Sequence, residues 1–486
     1  MKNVKSLTIV GGGTAGLISA LILKEYSNLE INLIYSSKIG IIGVGEGSTE
    51  HFREFMDFVG IKPSEIIKEC DATFKVGIMF DNWIVDHKYL HSVGYPFASN
   101  LKESYPVYKK QVIEDLLFFN SKSYEKNILN KKHIDVDLHS PTNQYHFNTF
   151  KLNLFLKSLA VKKGISIFDD EIIEVELNQE GYIDTVIGEK RKYKSDFYID
   201  TTGFSRILVK KLNVKWNSFS KYLKLNSAIT FPTKDEDNYN FWTLAKAMNS
   251  GWRFKIPTWG RHGNGYIYDK NFITVDEAKS EVEKELGHEI EIGKTFSFDP
   301  GALETVWTKN CVAMGLSGCF FEPLEATSIG LTIQQSFLLM HRLQSYDEKT
   351  IKDYNKSFNS IVENIRDFIV LHYLTKRNDT EFWKNILNTE IPESLKDNLE
   401  KWKTKFPLDN DFSYTSNYRM FNASNFINVM GGLKMFDKDA VFKEYNFLSE
   451  KHKANAEQSI NQHIHDESIG KFINHKEIIK IIREIN

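Results

Sequence analysis

The sequence predicts an α/β fold, a Rossmann-type nucleotide-binding body interleaved with a mainly helical module, and three observations predict it. An apolar run, Leu7 to Val10, leads into Gly11-Gly12-Gly13-Thr14-Ala15-Gly16 and then into helical periodicity from Ala15 to Tyr26. A second strand-like stretch, Ile31 to Tyr35, completes a βαβ unit, and strand-rich sequence returns from Ile165 to Ile199, with Gln179-Glu180-Gly181 as a hairpin turn. From about Gln334 onward the pattern turns helical, broken mainly at Pro407 and at Gly431-Gly432.

The chain of 486 residues is long enough for two or three domains. Only ten prolines occur, with no repeat and no low-complexity linker, so the modules are expected to interleave. We expect residues 1–345 to form the nucleotide-binding body, with substrate segments inserted at about 85–150 and 215–300, and residues 346–486 to form a helical substrate module. The 62 basic and 64 acidic residues are well mixed and leave a net charge of -2, which gives no footprint for nucleic acid or an anionic membrane. A small-molecule partner is expected. The Leu7–Val10 run is too short for a signal peptide or a membrane span, and Cys70, Cys311 and Cys319 lack zinc or disulfide spacing. These features point to a cytoplasmic, reducing setting without a structural metal. His463 and His465 lie in a polar segment with no third ligand and are read as solvated.

Gly11, Gly12, Gly13, Thr14, Ala15 and Gly16 fit G-x-G-x-x-G in the context the dinucleotide fingerprint needs, after a strand and before a helix. Glycines let the backbone approach a pyrophosphate, and the helix N-terminus stabilises its charge. The acid usual at the end of the second strand is missing. Tyr35-Ser36-Ser37 stands there instead, which weakens an NAD reading and leaves the ribose to Ser36 or backbone. Gly43-Val44-Gly45-Glu46-Gly47-Ser48 and the stretch Asn310 to Gly318 offer further flavin contacts.

With these pieces in order, the sequence resembles the flavin-dependent tryptophan halogenases. The likeness rests on GGGTAG at Gly11, GVGEGS at Gly43, TFKVGIMFDNW at Thr73, HSVG at His91 and DTTGFSR at Asp200. It continues through SGWRFKIPTWGRHGNGYIY at Ser250, GCFFEPLEATSIG at Gly318, RDF at Arg366, RNDTEFW at Arg377 and SNF at Ser424. The resemblance implies an FAD-binding Rossmann-type fold of the GR2-like monooxygenase kind. It implies FAD used as FADH2, a halide ion, O2, an aromatic substrate and a separate flavin reductase. Abundant lysine, asparagine and isoleucine fit an AT-rich genome, such as that of a virus. Oligomeric state stays open, a homo-oligomer included.

The resemblance also assigns roles. Lys75, in the alternating run Phe74 to Phe80, matches the lysine that holds or traps hypohalous acid, and Phe74 and Phe80 are expected to desolvate its amine and lower its pKa. Haloamine and hydrogen-bonded hypohalous acid both stay open. Glu325 matches the catalytic glutamate, and its apolar company is expected to raise its pKa; Glu322 is read as the lesser actor. The backbone of Thr327 and Ser328 matches the halide site, where Ala326 and Ser328 replace the usual serine and glycine, so larger halides are expected to compete well with chloride. Further flavin contacts fall on Ser36, Ile39, Ile42, Glu46, Ile172, Leu316 and Ile329.

Trp252, Phe254, Ile256 and Pro257 match the aromatic fence that separates substrate from flavin, with Phe254 in place of a second tryptophan. His91 and Val93 match positions lining the substrate pocket, with Val93 where an aromatic is usual. The segment Phe412 to Tyr418 lacks the residues that hold the amino-acid part of tryptophan, so an indole, a phenol or another activated arene is expected rather than free tryptophan. Direct hydroxylation by an FAD monooxygenase is the enzymatic rival. A non-catalytic flavin protein is the other.

Overall fold

Strand Ser6–Val10, helix Thr14–Tyr26 and strand Glu30–Tyr35 form the expected βαβ unit, within one residue of the sequence-based bounds. The computed structural model describes residues 2–41, 46–92, 101–117, 128–130, 144–412, 419–469 and 472–484. Ile42 and Val93 lie outside the described residues, as do residues 413–418 of the segment that begins at Phe412.

The nucleotide sheet has six strands in the order Ser166–Asp169, Glu30–Tyr35, Ser6–Val10, Phe197–Asp200, Cys311–Ala313 and Trp307–Thr308. All neighbours run parallel except the last pair. Parallel strands are covered on both faces, which is why Leu7, Thr8 and Ile9 are all fully buried rather than alternating. The predicted hairpin also forms. Ile172–Leu177 pairs antiparallel with Ile183–Gly188 around Gly181, whose positive φ of 78° suits glycine, and Asn178 Oδ1 accepts from the Glu180 and Tyr182 amides.

A second sheet has seven strands, in the order Lys294–Ser297, Ser227–Lys234, Arg261–Tyr268, Gly251–Thr258, Trp242–Ala247, Gly77–Ile84 and His87–Ser92. Its only parallel pair joins Trp242–Ala247 to Gly77–Ile84. A small sheet, Glu46–Gly47, Gln144–Phe147 and Thr73–Lys75, lies against the second one. Lys75 therefore ends one strand just before the chain enters the next sheet at Gly77.

Beyond residue 346 the described chain is mainly helical, led by Glu348–His372 and followed by Ala423–Gly432, Glu450–Ile469 and His475–Glu484. One short strand, Phe472–Asn474, departs from the helical expectation by pairing with Ile128–Asn130. A large apolar core runs through the nucleotide sheet, the second sheet and the helices Glu348–His372, Ala423–Gly432 and His475–Glu484, while Ala456 and Ile460 of Glu450–Ile469 belong to a separate small cluster with Val107. All three cysteines are buried and free. Among the described residues no helix is long and apolar enough to cross a membrane, and no group of three or more acidic, histidine or cysteine side chains could hold a metal. His465 is exposed on its helix.

Candidate active site

At the C-terminal edge of the nucleotide sheet a cavity of about 770 Å³ opens over the fingerprint turn. Gly11, Gly12, Gly13, Thr14 and Ala15 line it, with Ser36, Ile39, Glu46, Ile172, Leu316 and Ile329. A Cβ on Gly11 would run into Thr201, and one on Gly12 into Tyr35, whereas one on Gly13 would meet nothing within 4 Å. The turn is thus packed tight on its protein side and open on its cavity side, the shape a pyrophosphate needs. Gly16 does not line the cavity. Its Cβ would strike Gly11 O, so it serves the close packing of helix on turn.

Four further contributors were not singled out from sequence. Asn153 reaches from a later helix to donate to Gly12 O at 2.9 Å, and Lys157 sits over the Tyr35 ring at 3.5 Å. Thr201 Oγ1 donates to Val10 O and Gly11 O. Asp200 is wholly buried and accepts from Thr202, Leu208, Val209 and Ser317, pinning the turn that follows its strand. The DTTG stretch was the legible signal for the last two. Asn153 and Lys157 lie on a helix with no motif.

A second cavity, of about 230 Å³, adjoins the first through Glu46, Phe204, Leu316, Ser328 and Ile329, which line both. Its walls include Trp252, Phe254 and Ile256, which alternate onto one face of their strand. Pro257 falls on the other face. It contributes only its carbonyl, which accepts from Thr73 Oγ1 at 2.7 Å. Glu322, Glu325, Ala326, Thr327 and Ser328 line it as well. Helix Thr327–Met340 starts there with no side-chain cap, so its first amides and its positive dipole end lie at the cavity.

Glu325 and Ala326 both take left-handed backbone conformations, at φ 68° and 54°. Such conformations cost energy in non-glycine residues and persist where the surroundings enforce them. Here the enforcement is visible. His91 Nδ1 lies 2.9 Å from both Glu325 oxygens, and His372 Nε2 lies 3.0 Å from Oε1. Asn425 Nδ2 lies 3.1 Å from His91 Nε2 and serves as donor to it, which leaves Nδ1 to donate to the carboxylate. His372 Nδ1 donates to Phe368 O at 2.7 Å, and its Nε2 faces Glu325 Oε1.

Sequence reasoning expected apolar surroundings to raise the Glu325 pKa. Burial does push in that direction, but the His91 and His372 contacts override it and hold the carboxyl well below the usual range. Glu322 is the carboxyl that burial raises, to about 7. Its Oε1 accepts from Trp252 Nε1 at 3.1 Å and from the Tyr373 hydroxyl, and its Oε2 has no partner among the described residues.

Lys75 is 3% exposed, and its Nζ donates to Ser48 O at 2.7 Å. Its tip lies against Gly47, a lining residue of the small cavity. Burial lowers its pKa to about 8, against the opposing pull of the Glu325 and Glu50 charges. The direction agrees with expectation. Phe74 points to the other face of the strand, toward Tyr145 and His475, and Phe80 stacks on Tyr89 and packs on His372.

The tryptophan halogenase family model matches residues 6–442. The chain belongs to the tryptophan halogenase family. It is 28% identical to 7-chloro-L-tryptophan 6-halogenase KtzR of Kutzneria sp. (strain 744), over 90% of this chain and 94% of the relative. It is 28% identical to tryptophan 7-halogenase RebH of Lentzea aerocolonigenes, over 88% and 89%. The fold superposes on the tryptophan halogenase structure from Shewanella frigidimarina with a TM-score of 0.85, at 24% identity and over 99% and 98% of the two chains. The protein is a flavin-dependent halogenase with the FAD-binding fold of that family.

Within this halogenase, the donor set fits FAD: an open glycine turn, Ser36 near the second strand and apolar Ile39, Ile172, Leu316 and Ile329 along the cavity. His91 is expected from sequence at the substrate pocket. The structure buries it completely and commits both ring nitrogens, to Glu325 and Asn425. It therefore holds Glu325. His372, Asn425 and Tyr373 were missed. His372 ends the long helix inside the apolar run Phe368 to Tyr373, where a buried histidine is the one hint the sequence offers.

Proposed function

We propose that the halogenase uses Lys75 and Glu325 to deliver hypohalous acid to an electron-rich arene, an indole or phenol among them. The observation that carries this reading is the small cavity itself. It adjoins the nucleotide cavity at one end, and it brings an uncapped helix start, an aromatic wall, the Glu325 carboxyl and Gly47, against which Lys75 rests, around one space.

Bound reduced FAD, with O2, supplies the oxidising power that converts halide to hypohalous acid. The protein supplies position and charge. The first amides of the helix at Thr327 and Ser328 hold the halide. Trp252, Phe254 and Ile256 wall the arene from the flavin, which disfavours direct hydroxylation. With a pKa of about 8, Lys75 has a sizeable neutral fraction near neutral pH, able to bind hypohalous acid by hydrogen bond or to form a haloamine. Glu325, held as a carboxylate, stabilises positive charge on the attacked ring, and its contact with His372 gives the released ring proton somewhere to go.

Incubation with a flavin reductase, FAD, O2, a panel of arenes and each halide tests the reading. Product masses carrying halogen for hydrogen are expected; products carrying an added oxygen instead would replace it with hydroxylation. Ala326 and Ser328 reshape the helix start, so bromide is expected to turn over at least as fast as chloride. Faster turnover of chloride in direct competition would refute that halide preference.

A further inference from the structure

We propose that the C-terminal helix is a latch and that His475 is a positioning residue for Lys75. This inference rests on the Lys75 reading above. The family match ends at residue 442, so the latch lies in a part of the chain outside the matched family region.

The strand Thr73–Lys75 is only three residues long and pairs on one side with Gln144–Phe147. A buried backbone amide on its free edge needs an acceptor. Phe74 N finds one in His475 Nε2, at 3.0 Å, although 401 residues separate the two in sequence. On the other side of Lys75, Val76 N donates to Phe241 O at 2.7 Å. The His475 ring stacks on the Phe241 ring with centroids 3.8 Å apart and planes 11° apart. One side chain thus bonds the residue before Lys75 and packs on the residue that bonds the one after it. Between them these contacts fix both backbone amides that flank the lysine.

The histidine is fixed in turn. Its Nδ1 donates to Tyr239 O at 3.3 Å, leaving Nε2 as the acceptor, and burial pushes its pKa down to about 3, so the acceptor is kept at working pH. It is fully buried, as is Ile479, with Ile478 and Ile482 nearly so. At the far end of the helix Arg483 donates to Ile67 O at 2.6 Å and lies over Trp259 at 5.1 Å. Lys476 donates to Asp235 Oδ2 at 2.8 Å. The strand Phe472–Asn474 adds a ladder to Ile128–Asn130. A segment that served only to cover the surface would not need a polar atom on the amide next to Lys75.

The latch matters to chemistry because the Lys75 amine is held among the described residues by its hydrogen bond to Ser48 O, and its low pKa depends on dry surroundings. Charged and titratable groups that act with it are Glu325, Glu50 and His146. Loosening Phe74 and Val76 admits water to the amine and moves its tip away from Gly47. Hypohalous acid is then made at the normal rate but escapes.

The test compares His475→Phe, which keeps the stack on Phe241 and loses the acceptor, with His475→Gln, which keeps an acceptor. Arg483→Met loosens the far anchor without touching the Phe74 bond and serves if His475→Phe does not fold. Halogenated product and hypohalous acid caught by a soluble scavenger are measured together, across pH. For His475→Phe we expect the ratio of halogenated to scavenged product to fall about ten-fold. The midpoint at which the ratio rises with pH, as the Lys75 amine loses its proton, should move up from about 8, while FAD binding and total hypohalous acid stay unchanged. His475→Gln should recover most of the ratio, and Arg483→Met should fall between wild type and His475→Phe. A ratio and midpoint equal to wild type in the folded variants would overturn the latch. Absence of halogenated product from wild type would instead overturn the Lys75 reading on which it rests.

Discussion

Glu322 and Glu325 stand three residues apart on one loop, both buried, both on the wall of the same cavity, yet their carboxyls are driven in opposite directions. Around Glu322 the partners are neutral, the Trp252 indole and the Tyr373 hydroxyl, so burial prevails and the carboxyl rises to about 7. Around Glu325 two imidazoles converge, and the carboxyl falls well below its ordinary range despite burial. Burial alone therefore does not tell which acid is charged; the partners do. The cavity is left with one fixed carboxylate facing the lysine end and one acid near its balance point beside the fence.

The largest expected break in this contrast is Glu325→Gln, which keeps the size and removes the charge. Halogenation should fall by roughly 100-fold or more, the range for a lost acid–base or charge-stabilising group, with FAD binding retained. A fall of less than three-fold in single-turnover product formation would show that charge at this position is dispensable.

Next in size is His372→Phe, which removes one of the two contacts holding Glu325 ionised. Glu325 is active as the carboxylate, present above its folded pKa, so raising that pKa moves the acid limb of the pH–rate profile upward. We expect a rate near neutral pH within about three-fold of wild type and a loss that grows as pH falls toward the raised pKa. An acid limb unchanged from wild type would place the control of Glu325 elsewhere.

Glu322→Gln should leave the rate within about three-fold, because an amide oxygen still accepts from Trp252 and Tyr373. Its signature is stability. The folded pKa of about 7 stands above the ordinary 4.5, so the folded state holds a proton that the unfolded state has released. This contribution is fully present below about 4.5 and is lost as pH rises through 7, a change of roughly 3 kcal/mol across the window. The variant should lack that part of the decline in thermal unfolding measured from pH 4 to 8. A decline identical to wild type would mean that Glu322 is not the group responsible.

The smallest effect is expected from Ala326→Ser, which adds a hydroxyl beside the helix start. A two- to three-fold change in the bromide-to-chloride ratio is the scale of one added weak hydrogen bond. No change in competition assays would remove residue 326 from halide selection.

How much of this was legible beforehand differs between the two ends of the site. The flavin end is built from consecutive residues, because a tight turn between strand and helix needs its glycines in a row, and Gly11 to Gly16 could be read directly. The halogenation end is assembled from elements far apart in the chain. Lys75 and Glu325 were found through motifs, but His372 reaches Glu325, and Asn425 reaches the His91 that holds it, from two different C-terminal helices, and neither the SNF stretch that contains Asn425 nor the run around His372 announces those contacts. That is why the pKa direction at Glu325 came out reversed. Alternation misled at Phe74 in a simpler way: a strand puts neighbours on opposite faces, so the residue adjacent to Lys75 in sequence is not the one that dries it. His475 shows the same limit at its extreme, since nothing in a C-terminal helical pattern announces a bond to residue 74.

The central claim is that the oxidant is made in one place and used in another, with Lys75 as the point of delivery. Lys75→Ala separates the two most directly. The account predicts full FAD binding, undiminished hypohalous acid in the presence of a soluble scavenger, and no halogenated arene above the uncatalysed background. Wild-type amounts of halogenated product from that variant would contradict it.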